Sequence, residues 1–408
     1  MLAERAKVDV AAFDGVICVG GEDWWYHNRG HFDFQIMRRL AKRRPVLFVN
    51  SVAVRMPSLR EGGQFAARIS RKLRSLTRGL AHVENHFWVF SPLVAPGPGG
   101  QAVSGWALAP QIRIAAARVG IRQPLLWIHC PAGARLIDEL PHQALALQRT
   151  DRFETFPEAD PDVVGRQIAA LKARADLVVY CNAELMAEER SSVRRQLFVS
   201  HGVDFEMFAA AGEGSAKEPD DVAALPRPRV GFIGGIDAHT FAPELLLETA
   251  KRLPDVTFVL IGGCSLPDGW CRHENVKLLG RKPYEEVARY MAAMNALIMP
   301  WNGSDWIRAC SPIKLKEYLA VGRPIVTTGF PALAPYLDLV RTASNADQFA
   351  AALGLALSEP YNAVAARYRV ATEGWDAKAD LVEDALLSIG RVSPVLHSTP
   401  ADPIRPAA

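Results

Sequence analysis

Cysteine is scarce in this sequence, and no pattern would use it for cross-links or for zinc. The 408 residues contain six cysteines, and none of them forms a C-x-x-C pair. Disulfide frameworks and zinc modules both require closely and regularly spaced cysteines. We therefore expect neither, and we expect the thiols to stay reduced in a cytosolic protein.

Long apolar runs are also missing. A helix that crosses a bilayer needs about 20 consecutive apolar residues, and the sequence has no uncharged apolar run approaching that length. The N-terminus carries Glu4, Asp9 and Asp14 before any apolar run, unlike a secretory signal peptide. These absences predict a soluble cytoplasmic enzyme of bacterial type.

The composition argues against a wholly disordered, collagenous or coiled-coil protein. Apolar residues make up 49% of the chain and charged residues 22%, which is ordinary for a globular protein. At roughly 150 residues per domain, the length predicts two or three domains.

Acidic residues are nearly absent from one segment. Residues 38–80 contain 12 Lys or Arg and a single acid, Glu61. The segment therefore carries +11, and because the net charge is +3 the rest of the chain carries −8. A basic block in an otherwise acidic chain predicts a local anionic partner and not a nucleic acid.

Within that block, residues 65–80 have the pattern of an amphipathic basic helix. Apolar residues recur every three or four positions, at Phe65, Ile69, Leu73, Leu76 and Leu80. Such a helix can lie on an anionic membrane surface, which would make the protein peripheral on the inner face of the cytoplasmic membrane. It can equally pack its leucine face on its own domain, and both interpretations stay open.

Short apolar runs alternate with helical patterns along the chain. In the first half, strands are predicted at residues 15–20, 45–50, 87–90, 125–129 and 177–180, with helices at 32–41 and 161–173. In the second half, strands are predicted at 229–233, 257–261, 276–279, 296–300 and 324–328, with helices at 243–252, 284–294 and 312–321. Fully apolar strands that alternate with helices predict parallel sheets covered on both faces.

The predicted fold class is α/β, with two doubly wound Rossmann-like domains. We assign residues 1–205 to the N-terminal domain, 206–228 to a linker rich in Ala, Gly and Pro, and 229–375 to the C-terminal domain. Residues 392–408 contain four prolines and are predicted to be a disordered tail. Ligands of such sheets bind outside the carboxyl ends of the strands.

The segment 306–328 offers the strongest candidate site. Ser311 and Pro312 are a good N-cap and first residue for a helix. The N-terminus of a helix suits a phosphate, and Arg308 and Lys314 would add positive charge there. Glu317 could accept two hydrogen bonds from a ribose diol. Taken alone, Glu317 and Lys314 could equally be solvated helix charges.

The ten residues from Glu317 onward, EYLAVGRPIV, resemble the nucleotide-sugar signature of GT-B glycosyltransferases, in particular glycosyltransferase family 4. The resemblance implies two domains that face a central cleft, and a C-terminal helix at 376–391 that completes the first domain. It also implies transfer with retention of configuration and no required metal or cofactor.

The resemblance assigns roles to the residues of this segment. It implies that Glu317 binds the nucleotide ribose and that loop amides near Cys310 and Ser311 meet the diphosphate. The family has another Glu eight residues earlier, which touches the donor sugar. Here that place is Ala309, and Asp305 is the candidate substitute.

Two further segments extend the resemblance in the second half. Residues 230–235, VGFIGG, imply that Gly234 and Gly235 approach the diphosphate, although a tight strand-to-helix turn would explain these glycines equally well. Residues 276–281, VKLLGR, imply that Gly280 and Arg281 meet the base.

In the first half, the resemblance points to residues that follow strands. Gly20 and Gly21 would face the diphosphate. His129 could orient the donor sugar or accept the acceptor proton, because imidazole titrates near neutrality. A hydrogen-bonded structural histidine is the alternative.

The acceptor side has three candidates. Trp24 and Trp25 lie in an aromatic and polar stretch that could line an acceptor pocket, and they could equally belong to the core. Asp151 lies in residues 148–153, QRTDRF, which resemble a segment of polysaccharide-building members of the family.

The predicted function is transfer of a sugar from a nucleoside diphosphate sugar, with UDP or GDP as the nucleotide. The acceptor would be a hydroxyl of a lipid-linked or growing bacterial surface glycan. Two alternatives remain: a sugar-nucleotide 2-epimerase-like enzyme, which needs carboxylates near the sugar, and a non-catalytic protein that binds nucleotide sugars or glycans.

Overall fold

The computed structural model describes residues 13–26, 29–51, 74–93, 97–156, 159–214, 217–309 and 313–389. The chain divides into two compact units. Unit 1 comprises Met1–His27, Asp33–Ser200 and Ala379–Ala408, and unit 2 comprises Asn28–Phe32 and His201–Lys378.

The described strands of unit 1 are β1 Gly15–Val19, β2 Val46–Val49, β3 Leu80–Glu84, β4 Phe87–Phe90, β5 Pro124–Ile128, β6 Ala144–Arg149, β7 Leu177–Tyr180 and β8 Gln196–Phe198. They form one sheet in the order β3-β4-β2-β1-β5-β6-β7-β8. The described helices are α1 Phe32–Leu40, α2 Gly97–Arg118, α3 Pro161–Arg174 and α4 Ala183–Glu188. Short 3₁₀ turns occupy Pro131–Leu136, Phe153–Thr155 and Arg190–Ser192.

All neighbouring strands of this sheet run parallel except β3, which pairs antiparallel with β4 at one edge. Strands β1, β2, β5, β6 and β7 are buried along their whole length. The strand order reverses between β1 and β5, so the crevice that receives ligands in doubly wound sheets lies at their carboxyl ends. Gly20 and His129 are the residues that follow these two strands.

The described strands of unit 2 are β9 Arg229–Ile233, β10 Thr257–Ile261, β11 Val276–Gly280, β12 Ala296–Met299, β13 Ile325–Thr327 and β14 Arg341–Thr342. The described helices are α5 Phe205–Gly212, α6 Asp220–Ala223, α7 Pro243–Arg252, α8 Tyr284–Ala292, α9 Asp305–Ala309, α10 Ile313–Val321, α11 Ala346–Ser358 and α12 Ala363–Val370. The last described helix, α13 Trp375–Leu387, begins in unit 2, and its residues from Ala379 onward belong to unit 1. A 3₁₀ turn occupies Pro331–Tyr336.

The unit 2 strands form a parallel sheet in the order β11-β10-β9-β12-β13-β14. This is the strand order of the dinucleotide-binding fold, and it reverses between β9 and β12. Separate clusters of buried apolar side chains lie on the two faces of the sheet, because successive residues of a strand point to opposite faces. The prediction of two doubly wound parallel sheets is confirmed.

Two packed helices occupy 11 of the 23 residues in the segment 206–228, which was predicted to be a linker. Helix α5 buries Phe208, Ala209 and Ala211. A Cβ at Gly212 would lie 1.9 Å from the carbonyl oxygen of Val321 at the end of α10. The small residues that suggested a flexible linker therefore allow α5 to pack closely on α10.

The basic helix predicted at 65–80 lies largely outside the described residues. Residues 74–78 are helical, but Gly79 has a positive φ of 53° and Leu80 begins β3. A glycine in the left-handed region ends a helix, so Leu80 is not part of one. The predicted tail at 392–408 also lies outside the described residues.

The C-terminal helix α13 begins one residue earlier than predicted, and its described part ends at Leu387. In unit 1, Glu383 of this helix is buried and forms ion pairs with Arg43 and Arg44. In the part of the chain that the structure describes, no helix has both the length and the apolar character to cross a membrane.

Candidate functional site

The ends of β1 and β5 in unit 1 leave no space for side chains at two glycines. A Cβ at Gly20 would lie 2.1 Å from the ring of Phe48. A Cβ at Gly21 would lie 2.8 Å from Nδ1 of His129. Any larger residue at Gly21 would therefore displace the His129 imidazole. This contact explains why the position holds a glycine, whether or not a ligand binds there.

His129 is held at both ring nitrogens. Nδ1 lies 3.0 Å from Oδ2 of Asp33, and Nε2 lies 3.2 Å from Oγ1 of Thr150. Asp33 is fully buried in the first turn of α1, and Thr150 directly follows β6. Three elements thus fix the imidazole at the end of β5. We name this arrangement of His129, Asp33 and Thr150, with Gly21 against the ring, the His129 site.

The charges around His129 favour its protonated form. Burial alone would lower the pKa of His129, but the Asp33 carboxylate, together with Asp151 and Glu22, raises it above its usual value. Asp151 therefore belongs to the electrostatic surroundings of His129, as its place just after Thr150 indicates. When protonated, the imidazolium donates one hydrogen bond to Asp33 and one to Thr150.

Asp33→Asn is expected to lower the pKa of His129, because the asparagine carries no charge to stabilise the imidazolium. Since the folded-state pKa lies above the unfolded value of about 6.5, the wild-type pair stabilises the fold below that pH. This contribution is lost as the pH rises through the raised pKa. NMR titration of the imidazole signals would measure the change, with the exposed Asp162→Asn as control. An unchanged midpoint in Asp33→Asn would contradict the assignment.

Trp24 belongs to the core, which corrects its prediction as an acceptor-side residue. Its indole packs against Phe34, Phe48 and Phe87, with ring centroids 4.8 to 6.3 Å away, and 1% of the residue is exposed. Its backbone N–H donates to the side chain of Asn50. A side chain enclosed in this way cannot line an open pocket.

Trp25 is half-buried, with the guanidinium of Arg78 4.2 Å from its ring centroid. Its indole N–H is buried and has no hydrogen-bond partner among the described residues. Of the two tryptophans, Trp25 is therefore the one that keeps an acceptor-side role open.

In unit 2, the ends of three neighbouring strands meet through their backbones. The N–H of Gly234 donates to Ile261, and the N–H of Gly262 donates to Gly280. A Cβ at Gly262 would lie 1.7 Å from the carbonyl oxygen of Gly234. The backbone is thus close-packed between Gly234 and Gly262, whereas a Cβ at Gly280 would meet nothing within 4 Å. Gly280 instead has a positive φ of 68°, a conformation that favours glycine.

The loop after β9 turns sharply at Asp237. One carboxylate oxygen of Asp237 accepts hydrogen bonds from the backbone N–H groups of His239 and Thr240 and from the Thr240 hydroxyl. The other carboxylate oxygen would lie 2.7 Å from a Cβ at Gly235. Gly235 is therefore required by the turn itself.

The cationic candidates lie in different surroundings. Arg281 is exposed and its guanidinium covers Gly263, where a Cβ would lie 2.6 Å from Nε. Arg308, on α9, is exposed and donates to the carbonyl of Gly303. Lys314, in the first turn of α10, forms an ion pair with Glu317 at 2.7 Å. Cys310 and Ser311 lie outside the described residues, and for Asp305 the structure gives the backbone, at the start of α9.

Glu317 is fully buried in α10. Its Oε2 accepts from Lys314, while Oε1 has no hydrogen-bond partner among the described residues. The neighbouring Tyr318 hydroxyl accepts from the N–H of Ile233, so α10 is fixed to the end of β9 next to Gly234. A buried carboxylate oxygen without a partner costs free energy unless a ligand donates to it. It is thus suited to a hydroxyl donor such as a ribose. We name Glu317, Lys314, Gly234, Gly235, Gly280 and Arg281 the Glu317 site.

The sequence comparisons match the same half of the chain. Residues 227–359 match the family described as glycosyl transferases group 1. The match covers 133 of the 408 residues, about a third of the chain, and lies within unit 2. Over 145 residues it is 33% identical to the putative teichuronic acid biosynthesis glycosyltransferase TuaH of Bacillus subtilis strain 168. That alignment covers 33% of this chain and 34% of TuaH, so about a third of the relative's length is matched.

Solved structures share the fold over nearly the whole chain. The sucrose-phosphate synthase of Thermosynechococcus elongatus superposes with a TM-score of 0.68 at 14% identity, covering 93% of this chain and 100% of that one. Anabaena HepE in complex with UDP and glucose superposes at 0.61 and 13% identity, covering 92% and 100%. An Escherichia coli trehalose 6-phosphate protein bound with UDP-2-fluoro glucose gives 0.62 at 11% identity, covering 92% and 99%. The fold is GT-B, and the segment that matches the group 1 family lies within unit 2.

The sequence predicted His129 and Glu317 but missed the partners of His129. Asp33 occupies the first turn of α1, where an acid is ordinarily explained by the helix dipole. Among the described residues, no group of three His, Cys, Asp or Glu side chains is placed to hold a metal ion.

Proposed function

We propose that the protein transfers a sugar from a nucleoside diphosphate sugar to a hydroxyl of a lipid-linked or growing bacterial surface glycan. The observation that carries this proposal is the buried Oε1 of Glu317, which has no hydrogen-bond partner among the described residues and belongs to the helix that is fixed to the glycine-rich end of β9. The match to the group 1 family supports the glycosyltransferase activity. The name of TuaH, a putative teichuronic acid biosynthesis glycosyltransferase, supports the glycan acceptor.

In this proposal, unit 2 binds the donor. Glu317 accepts hydrogen bonds from the ribose, and Gly280 and Arg281 meet the base. The diphosphate is bound by the backbone at Gly234 and Gly235 and by amides near Cys310 and Ser311. Lys314 and Arg308 add positive charge, which stabilises the departing diphosphate without a required metal or cofactor. The solved HepE and trehalose 6-phosphate structures contain UDP or a UDP-sugar, which favours UDP over GDP.

In unit 1, His129 is proposed to act on the donor sugar. Both of its ring nitrogens are engaged by Asp33 and Thr150, and its pKa is raised, so the positively charged form is favoured. An imidazole whose two ring nitrogens are both engaged has no free lone pair with which to remove a proton, so we assign His129 to orienting the sugar. Gly20 and Gly21 would face the diphosphate, while Asp151 and Trp25 are proposed for the acceptor side.

The EYLAVGRPIV motif supports membership of glycosyltransferase family 4 and therefore transfer with retention of configuration. The buried Glu317 fits the ribose role that this motif implies. Asp305 is proposed to replace the family's other Glu in contact with the donor sugar, since Ala309 at the end of α9 has no carboxylate.

A thermal-shift panel of UDP, GDP, ADP and their common sugars tests the nucleotide. One nucleotide is expected to raise the melting temperature by roughly 3 °C at ten times its Kd. The stabilising sugar nucleotide is then incubated with glycan acceptors. A transferred sugar supports the proposal, whereas an isomerised sugar nucleotide indicates an epimerase. Stabilisation without any product indicates a binding protein. No shift at millimolar nucleotide would overturn the donor assignment.

A further inference from the structure

A cavity of about 370 Å³ opens in unit 2 at the end of the sheet where the strands begin. The Glu317 site lies at the other end, where the strands finish. Asn295 and Pro324, which directly precede β12 and β13, line it, as does Arg227, two residues before β9. Because the strands are parallel, these residues lie at the amino-terminal edge of the sheet. Gly234 and Gly280 lie at the carboxyl edge, so the cavity is separate from the Glu317 site.

Arginines gather around this cavity. Arg227 and Arg323 line it, and Arg367 lies beside it, since a Cβ at the lining residue Gly322 would be 3.1 Å from Nη2 of Arg367. Burial lowers the pKa of Arg323, and the like charges of Arg367 and Arg227 lower it further. Both Arg227 and Arg367 are therefore close enough to Arg323 to repel its guanidinium group.

Nearby carboxylates balance this charge only in part. Glu218 pairs with Arg227 at 2.8 Å, but it also pairs with the buried Arg229. Glu213, an exposed residue, lies 3.5 Å from Arg367. Arg323 has no acidic partner among the described residues, and it donates through Nε and Nη2 to the carbonyl of Ala292. The region around Arg323 thus keeps an excess of positive charge.

The rest of the lining suits an anion with a small organic body. Helix α12 begins at the lining residue Ala363, and its N-terminal end is capped by the Asn362 side chain, so its contribution to anion binding is limited to the helix dipole. Tyr361 lines the cavity, and its hydroxyl is buried without a hydrogen-bond partner among the described residues. Ala292, Met294 and Pro324 supply apolar contact. Two helix carbonyls near the cavity already accept hydrogen bonds from guanidinium groups. Arg323 donates to Ala292, and Arg367 donates to Val321.

We propose that this cavity is a second ligand site of unit 2 and binds a small oxyanion, either inorganic phosphate or the phosphate group of a small metabolite. Guanidinium groups match phosphate oxygens through paired hydrogen bonds, and the volume falls within the range of small-molecule sites. Occupation would relieve the repulsion that Arg227 and Arg367 exert on Arg323 and tie the start of α12 to the ends of α8 and α10. The site does not depend on the proposed glycosyl transfer.

Thermal unfolding in inorganic phosphate and in glycerol 3-phosphate, against NaCl of equal ionic strength, tests the site. The wild type is expected to gain roughly 3 °C at ten times the Kd. The gain should disappear in Arg323→Gln and in Arg227→Gln. Arg341→Gln, which removes an exposed cation of the same unit that pairs with Glu359, should keep it. A larger gain with glycerol 3-phosphate identifies an organic phosphate as the ligand, and an equal gain identifies the free ion.

The donor site could also bind phosphate, so the same series is repeated with Arg308→Gln, which removes a cation proposed to meet the diphosphate, and with saturating UDP. Phosphate stabilisation that persists in both conditions, and is lost in Arg323→Gln and Arg227→Gln, supports the cavity. Stabilisation that survives in Arg323→Gln and Arg227→Gln, or is matched by NaCl, overturns it. If Arg323→Gln fails to fold, Arg227→Gln decides, because its side chain is half exposed and its removal leaves the sheet intact.

Discussion

Glu317→Ala is expected to weaken binding of the sugar nucleotide on the order of 100-fold. A hydrogen bond to a charged group contributes about 1.5–3 kcal/mol, and the substitution removes the only oxygens proposed to hold the ribose. Two such bonds, reduced by the water that replaces them, correspond to about 3 kcal/mol. Glu317→Gln keeps one acceptor oxygen in the same position, so a smaller loss is expected.

Isothermal titration with the stabilising sugar nucleotide would measure both variants. Glu286→Gln, on the exposed face of α8, is the matched control and should bind as the wild type does. The melting temperature without ligand must be recorded as well, because both substitutions remove the negative charge that pairs with Lys314. A Kd within twofold of the wild type in Glu317→Ala would refute the ribose assignment.

Trp24→Ala is expected to destabilise unit 1 by about 4 kcal/mol, a typical cost of replacing a buried Trp or Phe by Ala. The indole fills a space enclosed by Phe34, Phe48 and Phe87, and these rings cannot close the cavity without losing their own packing. Urea unfolding followed by far-UV circular dichroism would show the loss.

Trp25→Ala is the natural comparison, because the neighbouring indole is half-buried and is covered by Arg78 on one side. Its expected cost is about 1 kcal/mol, the scale of a partly exposed cation–π contact. If Trp24→Ala cost no more than Trp25→Ala, the core assignment of Trp24 would be wrong.

The sheets were predictable because their central strands are short apolar runs that end at small residues. Strands β1, β2, β4, β5 and β7 and most of unit 2 were recognised in this way, whereas the buried strand β6 and the edge strand β8 were not. The edge strand β3 was not, since its residues are all partly exposed and include His82 and Glu84. Helix α2 was missed because it contains Pro110 and has apolar residues on all sides, so it lacks the one-sided pattern by which helices are recognised.

The candidate sites divide in a similar manner. Glu317 and His129 were recognised because motifs and strand ends are local features of the sequence. The Asp33–His129 pair joins residues 96 positions apart, and only the sheet order shows that α1 and β5 meet. Glycines were ambiguous for the same reason. Gly21 and Gly262 are required by contacts with His129 and with Gly234, which no local pattern reveals.

The cysteines differ in solvent exposure, and this difference allows one of them to be labelled selectively. Cys18, Cys130 and Cys181 are buried, and burial raises the pKa of the Cys18 thiol, which suppresses the reactive thiolate. Cys264 is exposed, and its backbone bridges to Ile236 in the loop after Gly235. In a variant with Cys271 and Cys310 changed to serine, a maleimide fluorophore would therefore attach at Cys264. Its emission would report ligand arrival at the end of β9 in real time, without a radioactive donor.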